Sequence, residues 1–137
     1  MSEKPLMDPL NASVVSLAEE TKFAANGIVS RTLLRTGQTR VVLFGFAEGQ
    51  ELTEHASTQD AVIQILSGEC EIRLAGRPRQ LKTGDLLHLP PNLPHAVKAT
   101  RQFSMLLTLT RAADHPSASL PGLPKPSLLA KAPAAIA

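Results

Sequence analysis

The apolar and polar side chains between residues 28 and 110 follow the period of β-strands. Residues 70–74 and 103–109 alternate, so each segment would present one apolar face and one more polar face. Residues 41–46 and 61–66 are almost continuously apolar, which is typical of strands buried on both faces. Glycine-containing turns separate these short segments, and such regular punctuation favours a sandwich or barrel. The pattern therefore predicts an all-β domain.

Composition divides the chain into three zones. Residues 1–27 form an irregular N-terminal segment with one weak helical pattern over residues 13–25. Residues 28–111 carry nearly all of the strand signal and form the predicted β-barrel domain. Residues 112–137 are rich in Ala and Pro, and their five prolines cannot join a regular ladder. We predict a Pro/Ala-rich tail that is partly disordered, with His115 as a solvated residue.

The charge balance and the aromatic content argue against two classes of partner. The net charge is +2 and aromatic residues make up 3% of the chain, without Trp or Tyr, so no surface for nucleic acid is indicated. No apolar run approaches the roughly 20 residues of a membrane-spanning helix. The N-terminus has acidic residues and prolines where a signal peptide has a basic start and an apolar core. We expect a cytoplasmic protein that binds neither nucleic acid nor membrane.

The single cysteine, Cys70, excludes an internal disulfide bond. It lies on the apolar face of its predicted strand, where a thiol more often packs in a core than reacts. We therefore interpret Cys70 as a core residue.

Residues 84–97, GDLLHLPPNLPHAV, combine a strand end, a tight turn and a histidine. Pro91 and Asn92 suit the central positions of a type II turn, because Asn tolerates a positive φ better than other residues with a Cβ. Pro90 cannot donate a hydrogen bond within a ladder and therefore belongs at a strand end. This turn would fix the approach to His95 and point its side chain into a cavity.

Two stretches of the chain resemble the two motifs of the cupin family. Gly49 is followed by five residues and then His55, and the first motif closes at Gly68. The second motif is matched, at the family spacing, by Gly84, Pro90 and His95. The resemblance covers roughly residues 40–109. It implies a cupin-type double-stranded β-helix, a form of jelly-roll barrel, which often pairs into homodimers.

The resemblance also implies a metal site, from which this sequence departs. Cupins typically bind a metal ion through two His and one Glu of the first motif and the His of the second. Here His55 and His95 are present, whereas Ser57 occupies the second His position and Ala61 the Glu position. A divalent ion (Fe, Mn, Ni, Zn or Cu) held by His55 and His95 would need a further ligand, since catalytic zinc sites usually have three protein ligands.

The candidates for that further ligand are Glu54, Asp60, Gln64 and His88. By strand parity Glu54 lies opposite His55 and Asp60 lies opposite Ala61, so neither points inward in a regular strand. Gln64 has the wrong strand parity relative to Ala61, although a β-bulge would reverse it. The parity of His88 is open, because the adjacent turn can shift the register, and an ordinary strand histidine with a bonded partner is the plainer interpretation. For His55 and His95 the plainer interpretation is a polar pair in the barrel mouth, bonded to each other or to water.

Three functional hypotheses follow. The first is a binding module for a small organic ligand, with His55 and His95 as polar anchors in an apolar barrel. The low aromatic content of the chain favours an aliphatic or carboxylic ligand over a sugar. The alternative, implied by the resemblance, is a metal-dependent oxygenase, isomerase or decarboxylase with an unidentified third ligand, for which no catalytic residue is assigned. A stand-alone sensor is the third. The predicted ligand-binding residues are His55, His95, Ser57, Gln64, His88, Ile63 and Met105.

Assembly is indicated by apolar side chains that one barrel wall cannot bury. Both faces of residues 41–46 are apolar, and Val62 and Leu66 lie on the face opposite Ile63. One layer of wall buries only the inner set, and the outer set suits a sheet-on-sheet contact. We predict a homodimer.

Overall fold

The structure is a computed structural model that describes residues 4–111. Over this range the chain forms one short helix and nine β-strands. The helix is α1 (Leu17–Glu20), and the strands are β1 (Ile28–Arg35), β2 (Thr39–Phe46), β3 (Glu51–His55), β4 (Asp60–Ser67), β5 (Glu69–Leu74), β6 (Arg77–Lys82), β7 (Leu86–Leu89), β8 (His95–Lys98) and β9 (Phe103–Thr110).

The strands form two antiparallel sheets, which confirms the predicted all-β class. The five-stranded sheet has the order β1-β2-β9-β4-β7, and the four-stranded sheet has the order β3-β8-β5-β6. The four apolar segments identified from the sequence coincide with β2, β4, β5 and β9. The tail at residues 112–137, including His115, lies outside the described residues.

The strand register decides which side chains of the five-stranded sheet face the interior. Residues directly opposite each other in an antiparallel pair project to the same face. The inward rows of β2, β9 and β4 run from the open end of the barrel to its floor. In order they contain Leu109 and Ala61, then Val42, Leu107 and Ile63, then Phe44, Met105 and Ile65, and last Phe46 and Phe103.

The core lies between the two sheets and is most tightly closed at the floor. The rings of Phe46 and Phe103 stack there with their centroids 4.5 Å apart, and neither side chain is exposed. Ile72 and Cys70 of β5 are each 1% exposed and pack against the same cluster from the four-stranded sheet. The alternation over residues 70–74 therefore predicts the buried face of β5 correctly.

Strand β2 is buried on both faces, as its continuous apolar sequence predicts. Val42 is 1% exposed on the inward face, and Leu43 is 2% exposed on the outward face. The N-terminal segment covers part of the outward face, since a side chain at Gly45 would meet the backbone of Lys22. The same segment bonds to the edge strand β1, where the Met7 N–H donates to the Leu33 carbonyl at 2.7 Å.

Two sequence-based predictions about burial and helix length are wrong in detail. The helical pattern over residues 13–25 yields only the single turn α1, whose N-cap is Ser16. Within a single copy of the chain, the segment over residues 61–66 is not buried on both faces, because Val62 is 37% exposed and Gln64 is also exposed. In the described part of the chain, no helix is long and apolar enough to cross a membrane.

Candidate ligand-binding cup

A cavity of about 250 Å³ opens between the two sheets, and we call it the cup. The five-stranded sheet supplies most of its wall, through Phe44, Ala61, Ile63, Met105, Leu107 and Leu109. Leu89 of β7 and two residues of the other sheet, Leu52 and Val97, complete the apolar lining. The polar side chains of the lining are His55, Ser57 and His95. The cup is therefore an apolar container with a small polar cluster.

His55 reaches the cup because strand β3 contains an irregularity. Leu52 pairs with Val97, and His55 pairs with His95. Three positions separate Leu52 from His55 along β3, but only two separate His95 from Val97 along β8. The extra residue is a β-bulge, which restores Leu52 and His55 to the same face. Periodicity alone would place these two side chains on opposite faces. The bulge also explains why Leu52, which the sequence analysis did not select, lines the cup.

The turn before β8 positions His95 as predicted. Asn92 has φ 69°, and the Leu93 N–H donates to the Pro90 carbonyl at 3.4 Å, which fits a type II turn with Pro91 and Asn92 at its centre. The turn is tied to the loop after β3 by a hydrogen bond from the Asn92 N–H to the Ser57 carbonyl at 2.6 Å. His95 is 8% exposed, whereas His55 is exposed at the mouth.

The two imidazole rings face each other across the strand pair, with centroids 4.3 Å apart and an interplanar angle of 57°. Nδ1 of His55 lies 3.0 Å from the Thr53 carbonyl oxygen, and Nδ1 of His95 lies 2.9 Å from the Leu93 carbonyl oxygen. A carbonyl oxygen can only accept, so Nδ1 carries the proton in both bonds. In the neutral ring, each Nε2 then keeps a free lone pair. The pair thus offers two acceptors that are oriented by backbone.

Ser57 and Ala61 stand where the family resemblance implies metal ligands, and both line the cup. The Ser57 hydroxyl oxygen accepts a hydrogen bond from the Gln59 N–H at 3.1 Å, which fixes the loop that leads into β4. Ala61 is 4% exposed and presents only a methyl group. Neither residue adds a charged donor beside the histidines. Ile63 and Met105, also selected from the sequence, lie deeper in the same wall.

The structure does not bring Gln64 and His88 into the cup. Gln64 of β4 is exposed on the outward face, since the parity opposite to Ala61 is retained without an intervening bulge. His88 pairs with Val62 on that same outward face, and its Nε2 lies 2.9 Å from the Asp60 carboxylate. The prediction that Gln64 and His88 bind the ligand is therefore wrong, because the strand register places both on the outward face. His88 is a strand histidine with a bonded partner.

The donor set of the cup does not fit a metal ion held by protein ligands alone. His55 and His95 supply two nitrogen donors, and structural or catalytic zinc sites have four or three protein ligands. Among residues 4–111, no group of three or more His, Cys, Asp or Glu side chains is arranged to hold a metal ion. Any ion at the two Nε2 atoms would depend on a ligand or on water for its remaining coordination.

Cys70 is a core residue, as predicted. It is 1% exposed, and burial raises the pKa of its thiol from the usual 9.0 to about 11, with a smaller contribution from the Asp85 carboxylate. The thiol therefore stays protonated at neutral pH and is a poor nucleophile.

A larger cleft of about 440 Å³ lies outside the barrel, between α1 and the outward face of the five-stranded sheet. Its lining includes Leu17, Phe23 and Leu66, together with hydroxyl groups from Thr21, Ser67 and Ser104. No titratable side chain lines it in the described part of the chain. The cup is smaller, but it combines apolar walls with oriented imidazoles, so the chemistry of the molecule is concentrated there.

The sequence motifs and the two-sheet barrel have independent support from comparison with known proteins. The family model for the cupin domain matches residues 42–109. A conserved protein of unknown function from Streptococcus pyogenes is 30% identical over 82% of this chain and 97% of its own, with a TM-score of 0.71. A cupin superfamily protein from Desulfitobacterium hafniense is 25% identical over 82% of this chain and 100% of its own, with a TM-score of 0.70.

The chain belongs to the cupin family. The described barrel is accordingly the double-stranded β-helix that the resemblance implies. A salicylate 1,2-dioxygenase from Pseudoaminobacter salicylatoxidans is 18% identical over 64% of this chain and 27% of its own, with a TM-score of 0.59. At that identity the likeness is one of fold alone. No curated protein matches this cupin in sequence.

Proposed function

We propose that this cupin is a binding module that holds a small organic ligand in the cup, with His55 and His95 as its polar anchors. The observation that carries the proposal is the imidazole pair at the mouth of an apolar cavity. Both Nδ1 atoms are occupied by backbone carbonyls, which leaves both Nε2 atoms available to a guest. Apolar pockets with a few oriented polar groups are the usual form of small-molecule sites.

The size and lining of the cup define the ligand class. A cavity of about 250 Å³ corresponds to about eight water molecules at about 30 Å³ each. The side chains of the deeper wall, such as Phe44, Ile63 and Met105, offer no hydrogen bond to a ligand, so the part of the ligand that contacts them is aliphatic. The Nε2 lone pairs accept hydrogen bonds, so the group near His55 and His95 is a hydroxyl or an N–H. Six-carbon compounds with one polar end are suitable probes.

A metal-dependent enzyme is the competing hypothesis, and the cup supports it less well. Two nitrogen donors fall short of a protein-held catalytic site, and the third carboxylate that the family motif implies is replaced by the methyl group of Ala61. We therefore assign no reaction step and no catalytic residue. The orientation of both Nδ1 atoms towards carbonyls is nevertheless the one that metal-binding histidines use, so the experiment includes metal analysis.

The proposal is tested by thermal unfolding with a panel of hexanol, hexanamide, hexanoate and other small alcohols and acids. A ligand that binds the native state raises the midpoint. We expect at least one compound to stabilise the wild type and to lose most of that effect in His95→Ala. His88→Ala is the matched control, because it removes a histidine from the outward face and leaves the cup intact.

Two results would overturn the proposal. One is a panel without any stabilising compound, or with stabilisation that survives in both His55→Ala and His95→Ala. The other is a stoichiometric divalent metal in protein purified without an affinity tag, if that metal is lost in His55→Ala and in His95→Ala. The second result would favour the enzyme.

We also infer that two copies of the chain pair through the outward face of the five-stranded sheet. Val62 and Leu86 are 37% and 70% exposed on that face, and they lie on the adjacent strands β4 and β7. Contact between two such faces would remove this apolar surface from water, which is the main favourable term in association.

A further inference from the structure

A second, polar groove of about 260 Å³ adjoins the mouth of the cup, and we call it the arginine groove. It is formed by the β1–β2 hairpin, the loop before β4 and the end of β9. Three of its residues are arginines: Arg35, Arg40 and Arg111. The Arg111 N–H donates to the Gln38 carbonyl at 2.8 Å, which ties the end of β9 to the hairpin.

The strand register places two of these arginines on the interior face of the sheet. Arg35 pairs with Arg40, Arg40 pairs with Leu109, and Leu109 pairs with Ala61. Directly opposite residues project to the same face, so the four side chains form one row. Leu109 and Ala61 line the cup, and neighbouring strands are about 4.8 Å apart, so the Arg40 backbone lies about 10 Å from that of Ala61.

A hydrogen bond links the two cavities on their other side. Gln59 lines the arginine groove, and its N–H donates to the hydroxyl oxygen of Ser57, which lines the cup. Neighbouring residues of one loop and of one strand row thus line the groove and the cup mouth, so a ligand whose apolar end lies in the cup would reach the arginines with its other end.

The three guanidinium groups have no ion-pair partner among residues 4–111. Other basic residues of the barrel do: Arg73 lies 3.7 Å from the Glu71 carboxylate, and Arg101 lies 3.7 Å from the Glu69 carboxylate. Asp60, which begins β4, bonds His88 on the outward face instead of the arginines. Like charges directly opposite in a strand pair, such as those of Arg35 and Arg40, repel each other. An anion in the groove would relieve that repulsion.

We propose that the arginine groove binds an oxyanion group of the ligand, a carboxylate or a phosphate, while the aliphatic part of the ligand occupies the cup and a separate hydroxyl or N–H group donates to His55 and His95. This inference rests on the proposed binding function and names its ligand class as an amphipathic acid. Guanidinium groups bind both oxyanions through paired N–H donors, and they keep their charge at every physiological pH. Arg35 and Arg40 are the main contacts because they share the row of Leu109 and Ala61, and Arg111 closes the groove from the side.

The experiment measures dissociation constants by calorimetry for four six-carbon probes on the full chain. Hexanoate and hexyl phosphate carry the two anionic head groups, and hexanol and hexanamide are their neutral counterparts. We expect both anions to bind the wild type more tightly than hexanol does, with an affinity that falls as salt is added. The tighter of the two anions identifies the head group.

Arg40→Gln and Arg35→Gln should each weaken the binding of hexanoate or hexyl phosphate about ten- to hundredfold, the effect of losing one charge-assisted hydrogen bond. Hexanol binding should not change in these variants. Arg101→Gln is the matched control, since it makes the same change in net charge at a residue paired with Glu69 outside the groove. Circular dichroism confirms that each variant is folded.

The failure of this inference is distinguishable from the failure of the binding function. If the anions bind no more tightly than hexanol, or if Arg40→Gln and Arg35→Gln behave like Arg101→Gln, the arginine groove is not the anion site. Hexanol binding that is still lost in His95→Ala would then leave the cup as a binding site. If His95→Ala changes the affinity of no probe, the binding function itself is overturned.

Discussion

Strands β4 and β5 belong to different sheets, and the chain crosses from one sheet to the other at Gly68, where a single methyl group should be highly destabilising. Gly68 has φ +79°, in the left-handed region, and a Cβ at this position would meet the Gln102 carbonyl oxygen and lie 2.7 Å from Cα of Phe103. Gly76, in the hairpin between β5 and β6, has φ +84° but nothing within 4 Å of an added Cβ. Gly76→Ala is therefore a matched control that carries the backbone strain without the collision.

The expected magnitudes differ by the cost of that collision. A non-glycine residue in the left-handed region costs about 1–2 kcal/mol, which is the whole effect expected for Gly76→Ala. In Gly68→Ala, backbone atoms at the start of β9 must also move, and they carry the Phe103 ring that stacks on Phe46 at 4.5 Å. Overpacking of this kind adds about 1–3 kcal/mol. We expect Gly68→Ala to lower the free energy of unfolding by about 2–5 kcal/mol in total.

Urea denaturation of the wild type and both variants, followed by far-UV circular dichroism, measures this difference. Gly68→Ala should have the lower midpoint. Hexanol should also bind it less tightly, because Phe103 stacks on Phe46, and the Phe46 ring lies 6.0 Å from the ring of Phe44 in the cup wall. Equal midpoints for the two variants would refute the close approach of the β4–β5 connection to the start of β9. Equal hexanol affinity in Gly68→Ala and Gly76→Ala would refute the coupling of the β4–β5 connection to the cup.

Three further predictions address the core thiol, the missing metal ligands and assembly. Cys70 should not react with a thiol reagent in the native protein at pH 7, and fast labelling there would contradict its burial. The free energy of unfolding should fall as pH rises from 9.0 towards about 11, because only the unfolded thiol ionises in that window. The double variant Ser57→His and Ala61→Glu should gain zinc binding. Added zinc should then raise its unfolding midpoint more than it raises that of the wild type. An unchanged midpoint would mean that the cup cannot orient three or more ligands. Light scattering should show a dimer at micromolar concentration and a monomer for Leu86→Glu, whereas a monomeric wild type would disprove the pairing of the outward faces.

Strand periodicity and turn chemistry suffice to predict much of the barrel. The apolar face of residues 70–74 and the turn at Asn92 follow from local rules, since alternation fixes a strand face and a positive φ favours Asn. The motif spacing likewise selects His55 and His95, which the structure brings to a ring distance of 4.3 Å. The strand face and the turn depend on residues close together in the chain, whereas the pairing of His55 with His95 follows from the resemblance to the two cupin motifs.

Features that depend on the pairing of distant strands could not be predicted in the same way. The β-bulge between Leu52 and His55 changes which side chains of β3 face the interior, and no residue type in that stretch predicts it. The arginine groove joins Arg35 and Arg40 to Leu109 only through the order β1-β2-β9, which a single sequence does not reveal. His88 could be placed on the outward face only once its pairing with Val62 was known.

The central claim is that His55 and His95 present two free Nε2 atoms to a ligand in the cup. Nitrogen-15 NMR of the histidine side chains, recorded at mildly alkaline pH with and without hexanol, tests it directly. We predict the Nδ1–H tautomer for both rings, and a shift of both Nε2 resonances when hexanol is added, while the His88 resonances stay unchanged. Protonated Nε2 atoms in both rings, or Nε2 resonances that do not respond to a bound ligand, would contradict the claim.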